Sequence, residues 1–472
     1  MSIANVDKQS ADLYDLVIQG GTLLSASETV QADLGIRDGV VAALGHNLQG
    51  AEVVDARGLL VLPGAVDPHV HLAMPAGATT SSDNWETGTI AAACGGTTTV
   101  IDFIEPGPGE ALLDAFEKRR AEASDAAIDY GLHMTLTQAP DAGELSAVVA
   151  AGMPSFKTYT TYEGFRLDDA TFLRVMQAVR DVGGLILVHA ESDAITAWCR
   201  QALLMAGETG PQAHPRSRPA IAEGEAIARV LALAKVVGVP LYIVHISTAL
   251  GATALAWAQA GGQLAYGETC PQYLLLTDEE YERPGFEGAK FVCAPPLRAA
   301  RDNAALWEAL AGGTLSTVGT DHCPFNYRGQ KDLGRDSFPS IPGGLPGVES
   351  RLALLYTFGV RQGRISLNRW VEVCCTAPAR LFGLYPRKGT LLPGADADVV
   401  LFDPEKRITL SQAVLHENVD YTPYEGLALH GYPVMALSRG HVVAQAAREG
   451  PLNFVGKKGH GQYLARALSL LR

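Results

Sequence analysis

Chemistry first shows in this 472-residue sequence at Asp67-Pro68-His69-Val70-His71. Residues two apart on a β-strand face the same side, so His69 and His71 can present two imidazoles to one cation. Alone, an H-x-H is a weak signal. Groups of the same kind recur at the ends of later apolar runs: His189 after Leu187-Val188, His245 after Ile243-Val244, and Asp321 after Val318-Gly319-Thr320. Imidazole and carboxylate together are a ligand set for divalent metals. Lys157, in Ser155-Phe156-Lys157-Thr158, ends another such run. An ammonium cannot bind a cation, but a lysine buried near metals has a depressed pKa and can stay neutral. A neutral amine can add carbon dioxide and become a carbamate, with one oxygen for each of two metals. Taken singly, each residue has a plainer reading. His189 or His245 would be a satisfied core histidine, Asp321 a helix cap, Lys157 a snorkelling side chain. His322 is read as a structural residue outside the site.

These groups need a scaffold that gathers strand ends. Candidate strands are Val61–Asp67, Thr97–Phe103, Asp129–Thr137, Ser155–Thr160, Leu185–Ala190, Leu241–Ile246, Gln263–Thr269 and Thr314–Asp321. Helical patterns lie between most of them, as at Gly109–Ser124, Asp168–Val182, Ala222–Val237 and Ala300–Ala311. Eight strands with helical crossovers is the count of a (β/α)8 TIM-like barrel, which brings the C-terminal ends of all its strands to one mouth. An open doubly wound sheet is the competitor, but no G-x-G-x-x-G opens the first unit. Both chain ends carry short apolar runs with hairpin turns, such as Arg37-Asp38-Gly39 and Ser438-Arg439-Gly440. They predict a small β-sandwich built from both ends. The expected division is residues 1–60 and 391–472 for the sandwich and tail, and 61–390 for the barrel.

The bulk numbers exclude other classes. A net charge of −14 argues against nucleic acid and anionic membrane as partners. No run approaches the ~20 apolar residues of a membrane span. Met1 to Asp15 lacks the apolar core of a secretory signal, which makes a cytoplasmic home the expectation. The seven cysteines, Cys94, Cys199, Cys270, Cys293, Cys323, Cys374 and Cys375, form no C-x-x-C and are expected as reduced thiols.

Four runs carry a family likeness. They are Asp67-Pro68-His69-Val70-His71-Leu72, Gly95-Gly96-Thr97-Thr98-Thr99-Val100-Ile101-Asp102-Phe103, Tyr266-Gly267-Glu268-Thr269-Cys270-Pro271-Gln272-Tyr273 and Thr320-Asp321-His322-Cys323-Pro324-Phe325. With these, the sequence resembles the dihydropyrimidinase/hydantoinase branch of the cyclic amidohydrolases, from about Asp15 to about Arg448. The resemblance implies two divalent metals, zinc by expectation, and a homotetramer. It implies His69, His71 and Asp321 as ligands of one metal, and His189 and His245 as ligands of the other. Lys157 matches the bridging N6-carboxylysine, and Tyr162 the tyrosine that contacts the substrate carbonyl. Ala294 and Gly343 stand where relatives often have Ser and Asn. Both positions bind the ring largely through backbone, so the contacts can survive. Ala76 occupies a loop position that is often bulky, which hints at a roomier pocket.

The reaction implied is hydrolysis of the cyclic amide of dihydropyrimidines or 5-substituted hydantoins, giving N-carbamoyl amino acids. Asp321 would take a proton from the attacking water and pass it to the leaving ring nitrogen. Tyr162 would help to stabilise the oxyanion. Related dihydroorotases carry an Arg shortly after the H-x-H to hold a carboxylate; here Ala73 follows, so a small neutral cyclic ureide or imide is the expected substrate. Allantoin is neutral too and stays open. A non-catalytic assembly scaffold is the rival of a different class, but such relatives have lost metal ligands and this sequence keeps all six candidate positions.

Overall fold

The computed structural model describes residues 13–446 and 450–467. The N-terminal reading made above for Met1 to Asp15 falls outside these up to residue 12.

Eight parallel strands run side by side in chain order: Ala65–Val70, Thr97–Ile104, Asp129–Thr135, Ser155–Tyr159, Leu185–His189, Leu241–Ile243, Ala265–Thr269 and Thr317–Val318. A parallel bridge between Val70 and His322 joins last to first, and the His71 N–H donates to the His322 carbonyl at 2.8 Å. The result is a (β/α)8 barrel. Its first two strands are buried along their whole length, as parallel strands covered on both faces must be. Helices between the strands supply the cover. Asp169–Asp181 starts where the Asp168 side chain accepts the Thr171 N–H, and it buries Phe172, Val175, Met176 and Val179, one apolar stripe at helical spacing.

Three predicted strands came out differently. Val61–Asp67 is not one strand. Leu60–Pro63 pairs antiparallel with Val399–Phe402 in a second sheet, and the barrel strand starts at Ala65. The break is at Gly64, where a Cβ would lie 2.0 Å from Thr98 Oγ1, so no side chain fits. The sixth strand stops at Ile243 and the eighth spans only Thr317–Val318. In both, the candidate ligand just beyond has a left-handed backbone, φ +40° at His245 and +53° at Asp321. That turn ends the ladder and re-aims the side chain.

The second sheet joins both chain ends into the sandwich domain. N-terminal strands Tyr14–Leu24, Thr29–Arg37, Val40–Gly45, Gly50–Asp55 and Leu60–Pro63 meet Val399–Thr409, Ala428–Ser438, His441–Ala446 and Leu452–Phe454. Leu16, Ile18, Leu34, Val41, Val61, Val399, Leu401 and Leu437 form its own core. The two expected hairpins are there. Asp38-Gly39 and Arg439-Gly440 both have positive φ at each residue, the twist that two-residue hairpin turns require.

Candidate active site

His69 is the last residue but one of the first strand and His71 lies one residue beyond it. Asp67 fixes their backbone: its Oδ1 accepts the His69 N–H at 3.2 Å and the Thr320 N–H at 3.1 Å, and its Oδ2 accepts the Thr320 hydroxyl at 2.6 Å. This ties the H-x-H to the segment that carries Asp321. Asp321 Oδ1 lies 3.2 Å from His69 Nε2 and 3.1 Å from His71 Nε2. On the facing strands His189 Nδ1 lies 2.9 Å from His245 Nε2. The His69 and His245 rings, 5.4 Å apart, bring the two pairs together.

Lys157 is buried between them, its Nζ 4.8 Å over the Phe103 ring and 5.3 Å over Tyr159. Burial pushes its pKa down to about 8, with Asp321 and Glu268 as the main opposing charges. An amine in that range is in part neutral at physiological pH, the state that carbamate formation needs. Tyr162 has φ +76° and its ring sits 5.0 Å from that of His189. Burial raises its pKa, so the phenol keeps its proton. His245, Asp321 and Tyr162 thus all hold left-handed backbones, the kind of strain that gathers at functional sites.

These groups open onto a cavity of about 820 Å³. His71, Lys157, Tyr162, His189, His245, Asp321, Ala294 and Gly343 line it; His69 sits just behind. Ala294 and Gly343 face each other, a Cβ on Gly343 falling 3.9 Å from the Ala294 nitrogen. Ala76 is on the wall too. His322 stays out of the cavity lining: buried, it places Nε2 3.0 Å from Asp83 Oδ2 and accepts the Gly347 N–H at Nδ1.

The donor set fits a cation. Glu268 Oε1 lies 2.6 Å from His69 Nδ1 and accepts its N–H. The lone pair of His69 is therefore on Nε2, which is buried and has no hydrogen-bond partner. Its neighbour is a carboxylate oxygen. Two acceptors that close need a positive charge between them. Glu191 does the same at the other pair, its Oε2 2.8 Å from His189 Nε2, which leaves Nδ1 free to face His245. Burial opposes ionisation of Glu191, but Arg218 and His189 outweigh it and hold the carboxyl at about 2. Among the described residues, His69, His71 and Asp321 form one of two groups of potential ligands whose donor atoms lie within 4.8 Å. The other, Cys94, Glu349 and His416, lies away from the cavity. There the Glu349 carboxylate is filled by His416, through Nδ1 at 2.8 Å and the backbone N–H at 2.6 Å.

Sequence reasoning missed Glu268, Glu191 and Arg218. Glu191 carried a signal, standing two residues after His189, just beyond the end of the fifth strand. Glu268 lay inside a quoted motif without a role. Arg218, which donates to Glu191 Oε2 at 2.5 Å and sits 5.2 Å from the Tyr162 ring, carried none.

The amidohydrolase family model matches residues 60–443. The D-hydantoinase of Geobacillus stearothermophilus is 44% identical over 458 residues, covering 96% of both chains. The crystal structure of a dihydropyrimidinase from Brevibacillus agri superposes with a TM-score of 0.93 at 44% identity, over 96% of this chain and 98% of that one. An L-hydantoinase (dihydropyrimidinase) from Arthrobacter aurescens gives 0.87 at 31% identity, over 96% and 100%. The chain belongs to the amidohydrolase family. Within it, the chain is a cyclic amidohydrolase of the hydantoinase/dihydropyrimidinase type, as its motifs implied. For this amidohydrolase the barrel mouth and its converging imidazoles are the natural place to seek the reaction.

Proposed function

We propose that this amidohydrolase opens the ring of 5-substituted hydantoins or dihydropyrimidines by hydrolysing a cyclic amide bond, releasing N-carbamoyl amino acids. One observation carries the reading: a buried imidazole–carboxylate pair, His69 with Asp321, and a buried imidazole pair, His189 with His245, meet around a lysine whose pKa burial lowers to about 8. His69, His71 and Asp321 would hold one divalent cation, His189 and His245 the other, and carboxylated Lys157 would bridge them; zinc suits such ligands. A cation pair so placed polarises a carbonyl and makes water acidic enough to act as a nucleophile near neutral pH.

The chain's own groups do the rest. Asp321 accepts the proton of the attacking water and delivers it to the leaving ring nitrogen. Tyr162 lines the cavity, and its protonated hydroxyl donates to the developing oxyanion. Backbone at Ala294 and Gly343 orients the ring. Arg218 lines the cavity but is committed to Glu191, and Ala73 replaces the Arg that would hold a carboxylate. Both favour a neutral ring.

Other expectations join this reading. The barrel, expected over 61–390, is assigned to 64–390, because Leu60–Pro63 pairs in the sandwich sheet, and the described residues before and after it to the sandwich and tail. A homotetramer is supported by apolar side chains bared on the helices after the fifth and sixth strands, with Trp198 76% and Trp257 85% exposed. A cytoplasmic location is supported by seven thiols that form no disulfide. Among the described residues no helix is long and apolar enough to cross a membrane. The negative charge disfavours nucleic acid.

The test is metal analysis of the purified protein beside a panel of dihydrouracil, dihydrothymine, substituted hydantoins, allantoin and dihydroorotate. We expect two metals per chain and turnover of hydantoins or dihydropyrimidines. Turnover of only the last two compounds would overturn the substrate reading.

A further inference from the structure

Lys331 lies in the long excursion after the eighth strand, and no role has been given to it so far. Its side chain is wholly buried, and among the described residues it pairs with no carboxylate. Instead the Nζ donates to three backbone carbonyls: Val292 at 2.7 Å, Pro342 at 2.9 Å and Gly344 at 2.8 Å. That uses all three donors of an ammonium. Its own N–H donates to the Asn326 carbonyl at 2.9 Å, anchoring the base of the excursion.

The three carbonyls belong to two stretches of the cavity wall. Val292 lies two residues before Ala294. Pro342 and Gly344 flank Gly343. Between the stretches there is one further backbone bond, from the Gly344 N–H to the Val292 carbonyl at 3.0 Å, and His214 Nε2 donates to the Cys293 carbonyl at 2.7 Å. Neither Ala294 nor Gly343 has a polar side chain, so whatever they offer a ligand they offer as backbone, and its placing depends on how the stretches are held. Burying a cation with no counter-ion is costly. Burial pushes Lys331 down to about 7. An apolar side chain of similar length would avoid that cost but leave the Pro342 and Gly344 carbonyls without donors and the Val292 carbonyl with the Gly344 N–H alone.

We propose that Lys331 is a positioning residue for substrate binding, a clamp that sets the spacing of the Ala294 and Gly343 backbones across the cavity. This rests on the reading that those backbones hold the ring.

The test compares metal-loaded wild type with Lys331→Met and Lys331→Gln, the latter keeping one forked donor. Two readouts are taken: hydrogen–deuterium exchange of the 292–294 and 342–344 stretches without substrate, and KM and kcat on a hydantoin. Lys331→Met should speed exchange in both stretches and leave the 185–189 strand protected. It should raise KM ~10-fold or more, with kcat falling far less and metal content kept, and Lys331→Gln should fall between. Unchanged exchange overturns the clamp, and faster exchange with wild-type KM overturns its role in binding. If Lys331→Met is recovered only as aggregate, Lys331→Gln decides on the same two readings. A wild type that hydrolyses no ring compound refutes the proposed function instead, and the exchange arm still reads the clamp.

Discussion

Replacing Glu268 with Gln tests the electrostatics of the site without changing its shape. Glu268 is fully buried. Its Oε1 accepts the His69 Nδ1–H at 2.6 Å and the His245 N–H at 3.1 Å, and its Oε2 accepts the Tyr242 hydroxyl at 2.9 Å. Burial pushes its pKa up to about 7, against the bonds from Tyr242 and the His245 N–H. Gln is close to isosteric. Its carbonyl can still accept from His69, and its NH2 can donate to the Tyr242 hydroxyl, which has a second partner in Thr317 Oγ1. Folding should survive. What disappears is the negative charge that keeps the His69 proton on Nδ1 and makes Nε2 a stronger ligand. Exchanging a charge-assisted bond for a neutral one forfeits about 1–2 kcal/mol, or ~5–30-fold in cation affinity. That lies at the lower end of the ~10–100-fold expected when the partner of a ligating histidine is removed. The assay is zinc titration of the metal-free protein against a chromophoric chelator, with thermal unfolding as a control. If Glu268→Gln binds zinc within about twofold of wild type, the assignment of His69 Nε2 as a ligand aimed by Glu268 is refuted.

Two other substitutions separate the remaining roles. Lys157→Ala should lose or scramble the metals and abolish turnover, and Lys157→Arg should fail as well, because guanidinium stays charged and cannot become a carbamate; two metals and normal turnover in Lys157→Ala would remove it from the bridge. Tyr162→Phe should keep both metals and lower kcat ~10²–10³-fold, the usual worth of one oxyanion donor; unchanged kcat would leave Tyr162 as a wall of the cavity only.

Much of the fold was legible because it is written locally. Apolar runs of strand length alternating with helical stripes count out a barrel, and Asp-Gly or Arg-Gly between short apolar runs gives a hairpin wherever both residues accept positive φ. The errors fall where the decisive neighbour is distant. Gly64 ends a strand because Thr98 of the next strand occupies the space of a Cβ, and nothing in Val61–Asp67 reports that. The short sixth and eighth strands go with left-handed turns at His245 and Asp321, a conformation that His and Asp enter more readily than most residues but that the surrounding barrel, not the residue type, selects here.

The candidate site divides the same way. Histidines at strand ends can be found one strand at a time, since a barrel sends every strand end to the same mouth. Their partners cannot. His69 and Glu268 are separated by 199 residues, and no spacing rule says which strand end faces which. Yet those partners decide the chemistry. An imidazole binds a cation only through a nitrogen without a proton, and Glu268 and Glu191 choose that nitrogen for His69 and His189. Motif residues thus name the candidate ligands, while buried carboxylates set their protonation. A sequence that kept all six candidate ligands and lost Glu268 and Glu191 would still read as an intact site, and by this argument it would bind metal poorly.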